Sequence, residues 1–171
     1  YWGYTYPDQK IDEITSVMLS EADAKKANVP YRLAADNSLV VPVGKVVKVL
    51  VTGSDVIHNF AMPAFGLKTD AIPGRINETW FKAEKTGMFY GQCSELCGVD
   101  HAFMPIQIQV VTQEEFDAWV LTKAPPAPAA PAATPVATPA APAAPAAPVA
   151  AAPAPQKTAQ LDVAAKPVAM N

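Results

Sequence analysis

Twelve residues of this chain, CSELCGVDHAFM at positions 93–104, hold both of its cysteines, one of its two histidines and one of its five methionines. Cys93 and Cys97 are four residues apart, His101 follows four residues later, and Met104 three residues after that. Thiols can pair as a disulfide, and thiolates, imidazoles and thioethers are also ligands of zinc and copper. The segment therefore predicts either a disulfide or a metal centre.

A disulfide and a zinc site are the two simpler interpretations. Two cysteines in an extracytoplasmic protein most often form a disulfide, and four-residue spacing permits one if the loop turns back. Zinc sites with two cysteines and two histidines usually pair the histidines three to five residues apart. Here His58 lies 35 residues before Cys93, so the two histidines are not paired in this way. Methionine is not among the usual ligands of zinc, so a zinc site would not explain Met104.

Copper is the third interpretation, and the methionine favours it. Thiolate and imidazole ligands with a weak axial thioether are typical of an electron-transfer copper site. A single copper of that kind needs one cysteine, so two cysteines can bridge two copper ions. One electron shared by two metals in a rigid pocket changes each bond length little, which suits electron transfer. The ligand count then closes with His58, Cys93, Cys97, His101, Met104 and the backbone carbonyl of Glu95.

Composition divides the chain into two parts. Residues 124–171 are mostly alanine and proline and hold 12 of the 18 prolines. Such a segment has few large apolar groups to bury, so we predict a disordered low-complexity tail. Residues 1–123 form the predicted domain and carry 15 acidic and 11 basic side chains, a net charge of −4. A mildly acidic domain does not suggest a nucleic-acid partner, whereas it permits a basic protein partner.

The elements that must position the cysteine loop are strands. Short β-branched segments such as KVVKVLVTG and MPIQIQVVT alternate apolar and polar residues and are separated by Gly, Pro, Asn and Asp. This pattern predicts an antiparallel all-β sandwich or barrel. Ser20 predicts the start of a short helix in SEADAKKA, and Thr112 with Glu115 predicts a capping box at the start of a closing helix.

The aromatic stretch YWGYTY at the start of the chain has two interpretations. It is either a first strand whose rings pack in the core or a docking surface near a membrane. No apolar run reaches the ~20 residues needed to span a bilayer. We interpret the chain as a fragment whose missing N-terminal part is anchored in a membrane.

Two quoted segments carry a family resemblance. HNFAMPAFGLKTDAIPGR followed by YGQCSELCGVDHAFMP closely resembles the soluble dinuclear copper (CuA) domain of subunit II of haem–copper cytochrome c oxidases, over about residues 1–123. The resemblance implies a cupredoxin-like Greek-key β-sandwich with a short C-terminal helix. It implies two copper ions held by the six residues named above, and a magnesium ion bound by the Glu95 side chain at the boundary with the catalytic subunit.

The same resemblance implies a function. The domain would accept electrons from cytochrome c and pass them to the haem of catalytic subunit I, so that the chain is part of an enzyme without itself reducing oxygen. Its location would be the periplasmic face of a bacterial inner membrane, with the mitochondrial intermembrane space as the alternative. The candidate docking residues are Trp2, Asp36, Asp55 and Asp100, and the candidate contacts with the catalytic subunit are Asp70 and Arg75.

Two other functions fit part of the pattern. The CuA domain of a nitrous oxide reductase shares the ligands but typically has an aromatic residue at the position of Glu95. A copper chaperone with a CxxxC site would deliver the metal, but it would have a thioredoxin-like βαβ pattern and a histidine far downstream.

Overall fold

The computed structural model describes residues 1–123 and the backbone of 160–167. Among these residues no helix combines the length and apolar character needed to cross a bilayer. The helices are α1 (Glu21–Ala27) and α2 (Gln113–Lys123), with short 3-10 turns at Pro63–Phe65 and His101–Phe103. The strands are β1 (Trp2–Tyr6), β2 (Ile11–Ser16), β3 (Leu39–Pro42), β4 (Val46–Val51), β5 (His58–Met62), β6 (Leu67–Ala71), β7 (Asn77–Lys82), β8 (Gly87–Cys93), β9 (Pro105–Val111) and β10 (Gln160–Pro167).

The described strands form two five-stranded sheets. One sheet has the order β2-β1-β10-β4-β7 and the other β3-β9-β8-β5-β6. Buried side chains from both sheets belong to a single hydrophobic cluster, which makes the architecture a sandwich. The predicted all-β sandwich is confirmed.

Strand β4 illustrates how the sequence pattern builds this sandwich. Val47, Val49 and Val51 are fully buried and alternate with half-exposed residues. On the outer face, the Lys48 ammonium lies 3.1 Å from the Glu78 carboxylate of β7. The period-two pattern therefore correctly predicts both the strand and its inward face.

Both predicted helices begin where their capping residues indicate. The Ser20 hydroxyl accepts a hydrogen bond from the Asp23 amide at 3.1 Å. At α2, the Thr112 hydroxyl accepts from the Glu115 amide at 3.2 Å, and the Glu115 carboxylate accepts from the Thr112 amide at 2.9 Å. This reciprocal pair is the capping box expected from the sequence.

Strand β1 settles the two interpretations of the first aromatic residues. Trp2, Tyr4 and Tyr6 are all fully buried. The Tyr6 hydroxyl donates to the Val40 carbonyl at 3.1 Å and accepts from the Val40 amide at 2.8 Å. These rings are core side chains, so the prediction that Trp2 is a docking residue is wrong: a fully buried ring has no surface to offer a partner.

Strands β2 and β6 were not predicted from the sequence. Each has polar residues along most of its length, and each lies at the edge of its sheet, where one face and one edge meet solvent. Gln107 also departs from expectation, because it is buried although the alternation in β9 puts it on the polar face. Its amide oxygen accepts from the Ala35 amide at 2.9 Å and its nitrogen donates to the Ser38 hydroxyl at 2.6 Å, so a covering loop buries and satisfies it.

Strand β10 differs from the predicted disordered tail. It pairs antiparallel with β1 and parallel with β4, and thus lies inside a sheet. The neighbouring residues 124–159 and 168–171 lie outside the described residues, so the prediction of disorder stands for them as a prediction only. For 160–167 the composition was misleading, because the short stretch QLDVAAKP follows a long Ala/Pro segment that dominates the average.

Candidate metal centre

The predicted ligands converge at one end of the second sheet. His58 is the first residue of β5 and Cys93 the last residue of β8. These two strands are antiparallel neighbours, so the start of one lies beside the end of the other. Cys97 and His101 follow in the loop after β8, and Met104 directly precedes β9. The antiparallel pairing of β8 with both β5 and β9 therefore brings these distant residues together on a rigid frame.

The two thiols are close but not bonded. Their sulfur atoms are 3.9 Å apart, and both cysteines are free. A disulfide has a sulfur–sulfur distance of about 2.05 Å, so this geometry is that of two separate thiols.

One imidazole accompanies each thiol. Nδ1 of His58 lies 3.9 Å from the Cys93 sulfur, and Nδ1 of His101 lies 3.5 Å from the Cys97 sulfur. The Met104 thioether sulfur is 3.6 Å from Cys97. The backbone carbonyl of Glu95 accepts a hydrogen bond from the Cys93 thiol at 3.4 Å. The other four predicted donors thus lie beside the pair of cysteine sulfur atoms.

The donor set fits a metal. Three donor atoms, one from each of His58, Cys93 and Cys97, lie within 4.8 Å of one another. His58, Cys93 and Met104 are each 5% exposed, so little water reaches this side of the site. Two thiols, two imidazoles and a thioether are soft or borderline ligands, and such sets select copper or zinc over magnesium or calcium.

Burial controls the chemistry of the Cys97 thiol. Removal from water, together with the neighbouring Cys93 thiol, raises the pKa of Cys97 from 9.0 to about 11. The metal-free site therefore holds this thiol protonated at neutral pH, and metal binding must release its proton.

We expect alkylation of Cys97 in the metal-free chain to be slow at pH 8 and to accelerate with pH up to pH 10. With a pKa of about 11, roughly a thousandth of Cys97 is thiolate at pH 8, and the thiolate is the nucleophile. Iodoacetamide labelling at graded pH, followed by peptide mass spectrometry, measures this rate. The same reaction in denaturant is the control, and labelling of the folded chain as fast as the denatured chain at pH 8 would contradict the expectation.

Trp2 contacts two of the candidate ligands, Met104 and His58. Its indole N–H donates to the Met104 carbonyl at 3.2 Å, and its ring packs edge-on to the His58 ring with centroids 6.3 Å apart. The sequence did not predict this role, because nothing in the spacing between residues 2 and 104 relates them.

Asp55 contacts the opposite nitrogen of His58. Its carboxylate lies 2.8 Å from Nε2 of the imidazole. Partial burial works to raise the pKa of Asp55, but hydrogen bonds from His58 and from the Val56 backbone outweigh it, so the pKa is lowered and the carboxylate is ionised at neutral pH. Asp55 and Asp100 both line a cavity of about 200 Å³ over the site.

The remaining predicted residues lie apart from the thiols or on the surface. Asp36 is exposed, and one of its oxygens accepts from the Val17 and Asn37 amides. The Asp70 carboxylate accepts from the Asn59 side chain at 2.6 Å, which ties it to the residue next to His58. Arg75 is exposed in the turn before β7.

Comparison with known proteins shows the family. Residues 1–111 match the family model described as the cytochrome c oxidase subunit II, periplasmic domain. The chain belongs to this family. It is 52% identical to a probable cytochrome c oxidase subunit 2 of Rickettsia bellii over 123 residues, 72% of this chain and 45% of that protein. It is 46% identical to the cytochrome c oxidase subunit 2 of Cereibacter sphaeroides over 136 residues, 70% of this chain and 45% of that protein. The chain thus spans less than half the length of these relatives.

Two solved structures have the same fold as this subunit II domain. The periplasmic domain of subunit II (CoxB) of Bradyrhizobium japonicum is 63% identical, with a TM-score of 0.67 over 72% of this chain and 85% of that one. Subunit II in a mixed-disulfide intermediate with the thioredoxin-like TlpA is 61% identical, with a TM-score of 0.61 over 72% of this chain and 82% of that one. The expected cupredoxin-like fold is confirmed.

Proposed function

We propose that this domain is the electron-accepting module of a terminal respiratory oxidase and holds two copper ions in a CuA centre. The observation that carries the proposal is the pair of unbonded thiols 3.9 Å apart, with one imidazole Nδ1 beside each. Bound copper would supply a one-electron redox couple. In the oxidase, one electron would arrive from reduced cytochrome c and one would leave for the haem of the catalytic subunit.

The residues of the chain would make that transfer easy. His58, Cys93 and Met104 are buried and lie at the ends of paired strands, so their donor atoms need little movement when the charge of the site changes. The Met104 thioether lies 3.6 Å from the Cys97 thiol, and a thioether suits a weak axial donor. Trp2 and β9 hold the backbone of Met104 in place.

Copper reconstitution tests the proposal. We expect two copper ions per chain, a purple colour and an EPR spectrum of one electron shared between two equivalent copper nuclei. Metal analysis of freshly isolated protein gives the stoichiometry. A single copper with a four-line spectrum, or bound zinc, would overturn the dinuclear assignment.

The alternatives are less well supported. A CxxxC copper chaperone would have a thioredoxin-like βαβ core, whereas the described residues form a two-sheet sandwich. The match of residues 1–111 to the oxidase subunit II family favours the oxidase over a nitrous oxide reductase.

Cytochrome c is the proposed electron donor. The domain carries a net charge of −4 over residues 1–123, and Asp36 and Asp100 are exposed. A basic partner would be attracted to such a surface, and salt would screen the attraction with a Debye length of about 10 Å at 0.1 M.

We therefore expect the second-order rate of electron transfer from a basic cytochrome c to fall as ionic strength rises. Asp100→Asn should slow it a few-fold at low salt, because Asp100 is exposed at the cavity over the site. Stopped-flow mixing at several salt concentrations measures both effects. A rate independent of salt would instead assign docking to apolar contacts such as Leu96 and Val99, which are 79% and 96% exposed.

The catalytic subunit and a magnesium ion are proposed to meet the domain near Glu95. Its carbonyl faces the Cys93 thiol while the residue is exposed, so its carboxylate is available to a cation at a subunit boundary. Asp70 and Arg75 are proposed contacts with the same subunit. The family model describes a periplasmic domain, which supports a periplasmic location, and a membrane anchor is proposed for the part of the full protein that lies outside this chain.

A thioredoxin-like reductase is a further proposed partner. Thiols 3.9 Å apart need only a small movement to form a disulfide, which could not bind copper as two thiolates do. The relative trapped in a mixed disulfide with TlpA supports such a partner, because thiol–disulfide exchange proceeds through that species.

A further inference from the structure

Asp55 lies against the imidazole of His58 on the side away from the thiols. Its carboxylate is 2.8 Å from Nε2, while Nδ1 of the same ring faces the Cys93 sulfur at 3.9 Å. The Asp55 side chain is 29% exposed and the His58 side chain only 6%. The contact therefore joins the rim of the cavity to a buried candidate ligand.

A neutral imidazole carries one N–H and one lone pair. A carboxylate accepts hydrogen bonds only, so Asp55 favours the tautomer in which Nε2 bears the proton. In that tautomer the Nδ1 lone pair points at the thiols, which is the form a metal requires.

The loop that presents Asp55 is itself tightly fixed. A Cβ at Gly53 would lie 2.7 Å from the Val56 carbonyl oxygen and 2.9 Å from that of Ala71, so a larger residue would push the loop away. Gly53 also forms a bridge with Pro73. The short loop between Gly53 and His58 is thus anchored at one end by the close backbone contacts of Gly53 and at the other by strand β5.

The other imidazole has no such support. Nε2 of His101 has no hydrogen-bond partner among the residues that the structure describes, and the residue is only partly buried. The two histidines are therefore held differently: the Asp55 carboxylate contacts Nε2 of His58, and among the described residues no carboxylate contacts Nε2 of His101.

We infer that Asp55 is a positioning residue that fixes the tautomer and orientation of His58, rather than only a docking charge on the rim. Its effect on metal binding rests on the proposed copper centre, whereas its effect on the tautomer does not. Partners of this kind typically change metal affinity by about 10–100-fold when removed.

The test uses the parent chain and three variants. Long-range ¹H–¹⁵N NMR spectra of the metal-free proteins report the tautomer of His58. We expect the Nε2–H form in the parent and a mixture of tautomers in both Asp55→Ala and Asp55→Asn, because the asparagine amide can either accept from Nε2–H or donate to the bare nitrogen. Asp100→Asn removes a charge from the same cavity. Among the described residues, the Asp100 side chain has no hydrogen bond to a candidate ligand side chain, so His58 should have the same tautomer in this variant as in the parent.

Copper titration of the same proteins supplies the second readout. We expect Asp55→Ala to hold copper about 10-fold or more weakly than the parent. Its reduction potential should rise, because an imidazole that has lost its carboxylate is a poorer donor to the oxidised metal. Asp100→Asn should keep the parent affinity.

The outcomes separate the two proposals. A parent chain that takes up no copper would overturn the proposed function, while the NMR spectra would still decide the role of Asp55. A copper-binding parent with an Asp55→Ala variant of unchanged tautomer and affinity would overturn the inference. Because Asp55→Asn keeps the shape of the side chain, it serves if Asp55→Ala fails to fold.

Discussion

A Cys97→Ser chain is expected to retain at most one copper ion and to lose the spectrum of a coupled pair, whereas Met104→Leu is expected to retain both ions. The Cys97 sulfur is the centre of the site: it lies 3.9 Å from Cys93, 3.5 Å from His101 Nδ1 and 3.6 Å from the Met104 sulfur. A serine hydroxyl is a harder donor that is not deprotonated at neutral pH, so one remaining thiolate would have to hold both metals. Leucine fills nearly the volume of methionine and removes only a weak axial donor.

Metal analysis and EPR spectroscopy of the two variants test this order. Circular dichroism of the metal-free proteins is the control for folding, because Met104 belongs to the hydrophobic cluster as well as to the site. Loss of all copper in Met104→Leu, with retention of two ions in Cys97→Ser, would reverse the roles assigned to the two sulfurs.

The cluster of donor residues at the candidate site could be predicted because most of its residues are rare and closely spaced. The chain has only two cysteines and two histidines, and three of these four lie within nine residues. Strand β4 was predictable for a different reason: its partners on both sides are strands and its inner face is core, so the period of two is clean. A local sequence pattern predicts structure correctly where a single physical requirement determines the residue type at each position.

The supporting residues of the site could not be predicted in the same way. Trp2 reaches Met104 across 102 positions of sequence, and only the assembled sandwich brings them into contact. Asp55 is three residues from His58, so the sequence did place it at the metal end, but it could not tell a carboxylate that faces solvent from one that faces Nε2. Gln107 was assigned to a solvent face because alternation within one strand carries no information about a loop that covers it.

Strand β10 is the largest difference from the sequence interpretation. Its central position gives it two ladders, with four residue pairs to β1 and six to β4. The sequence predicts a disordered tail, because alanine and proline add little apolar burial. The segment joins the sheet through backbone hydrogen bonds, which amino-acid composition does not reveal.

Removing residues 160–171 is therefore expected to destabilise the domain. The deletion would leave β1 and β4 with unpaired edges, and β1 carries Trp2, Tyr4 and Tyr6 into the core. Net hydrogen-bond contributions of about 1 kcal/mol each are largely offset by the entropy of ordering the strand, so we expect a net loss of about 3 kcal/mol. For a domain of this size that corresponds to a fall in melting temperature on the order of 10 °C.

Calorimetry of metal-free chains measures the fall, and two variants and one peptide isolate its cause. Deleting 129–148 shortens the Ala/Pro segment but keeps the strand; its melting temperature should stay near the parent, because loop-closure entropy changes slowly with length. Val163→Pro should act like the deletion, since proline cannot donate to a ladder and Val163 pairs with Val49 in mid-sheet. A synthetic peptide of residues 158–171 should restore part of the stability of the truncated chain in a concentration-dependent manner, as an added strand does in β-augmentation. If the truncated chain and Val163→Pro melted at the same temperature as the parent, β10 would contribute nothing to the stability of the sheet.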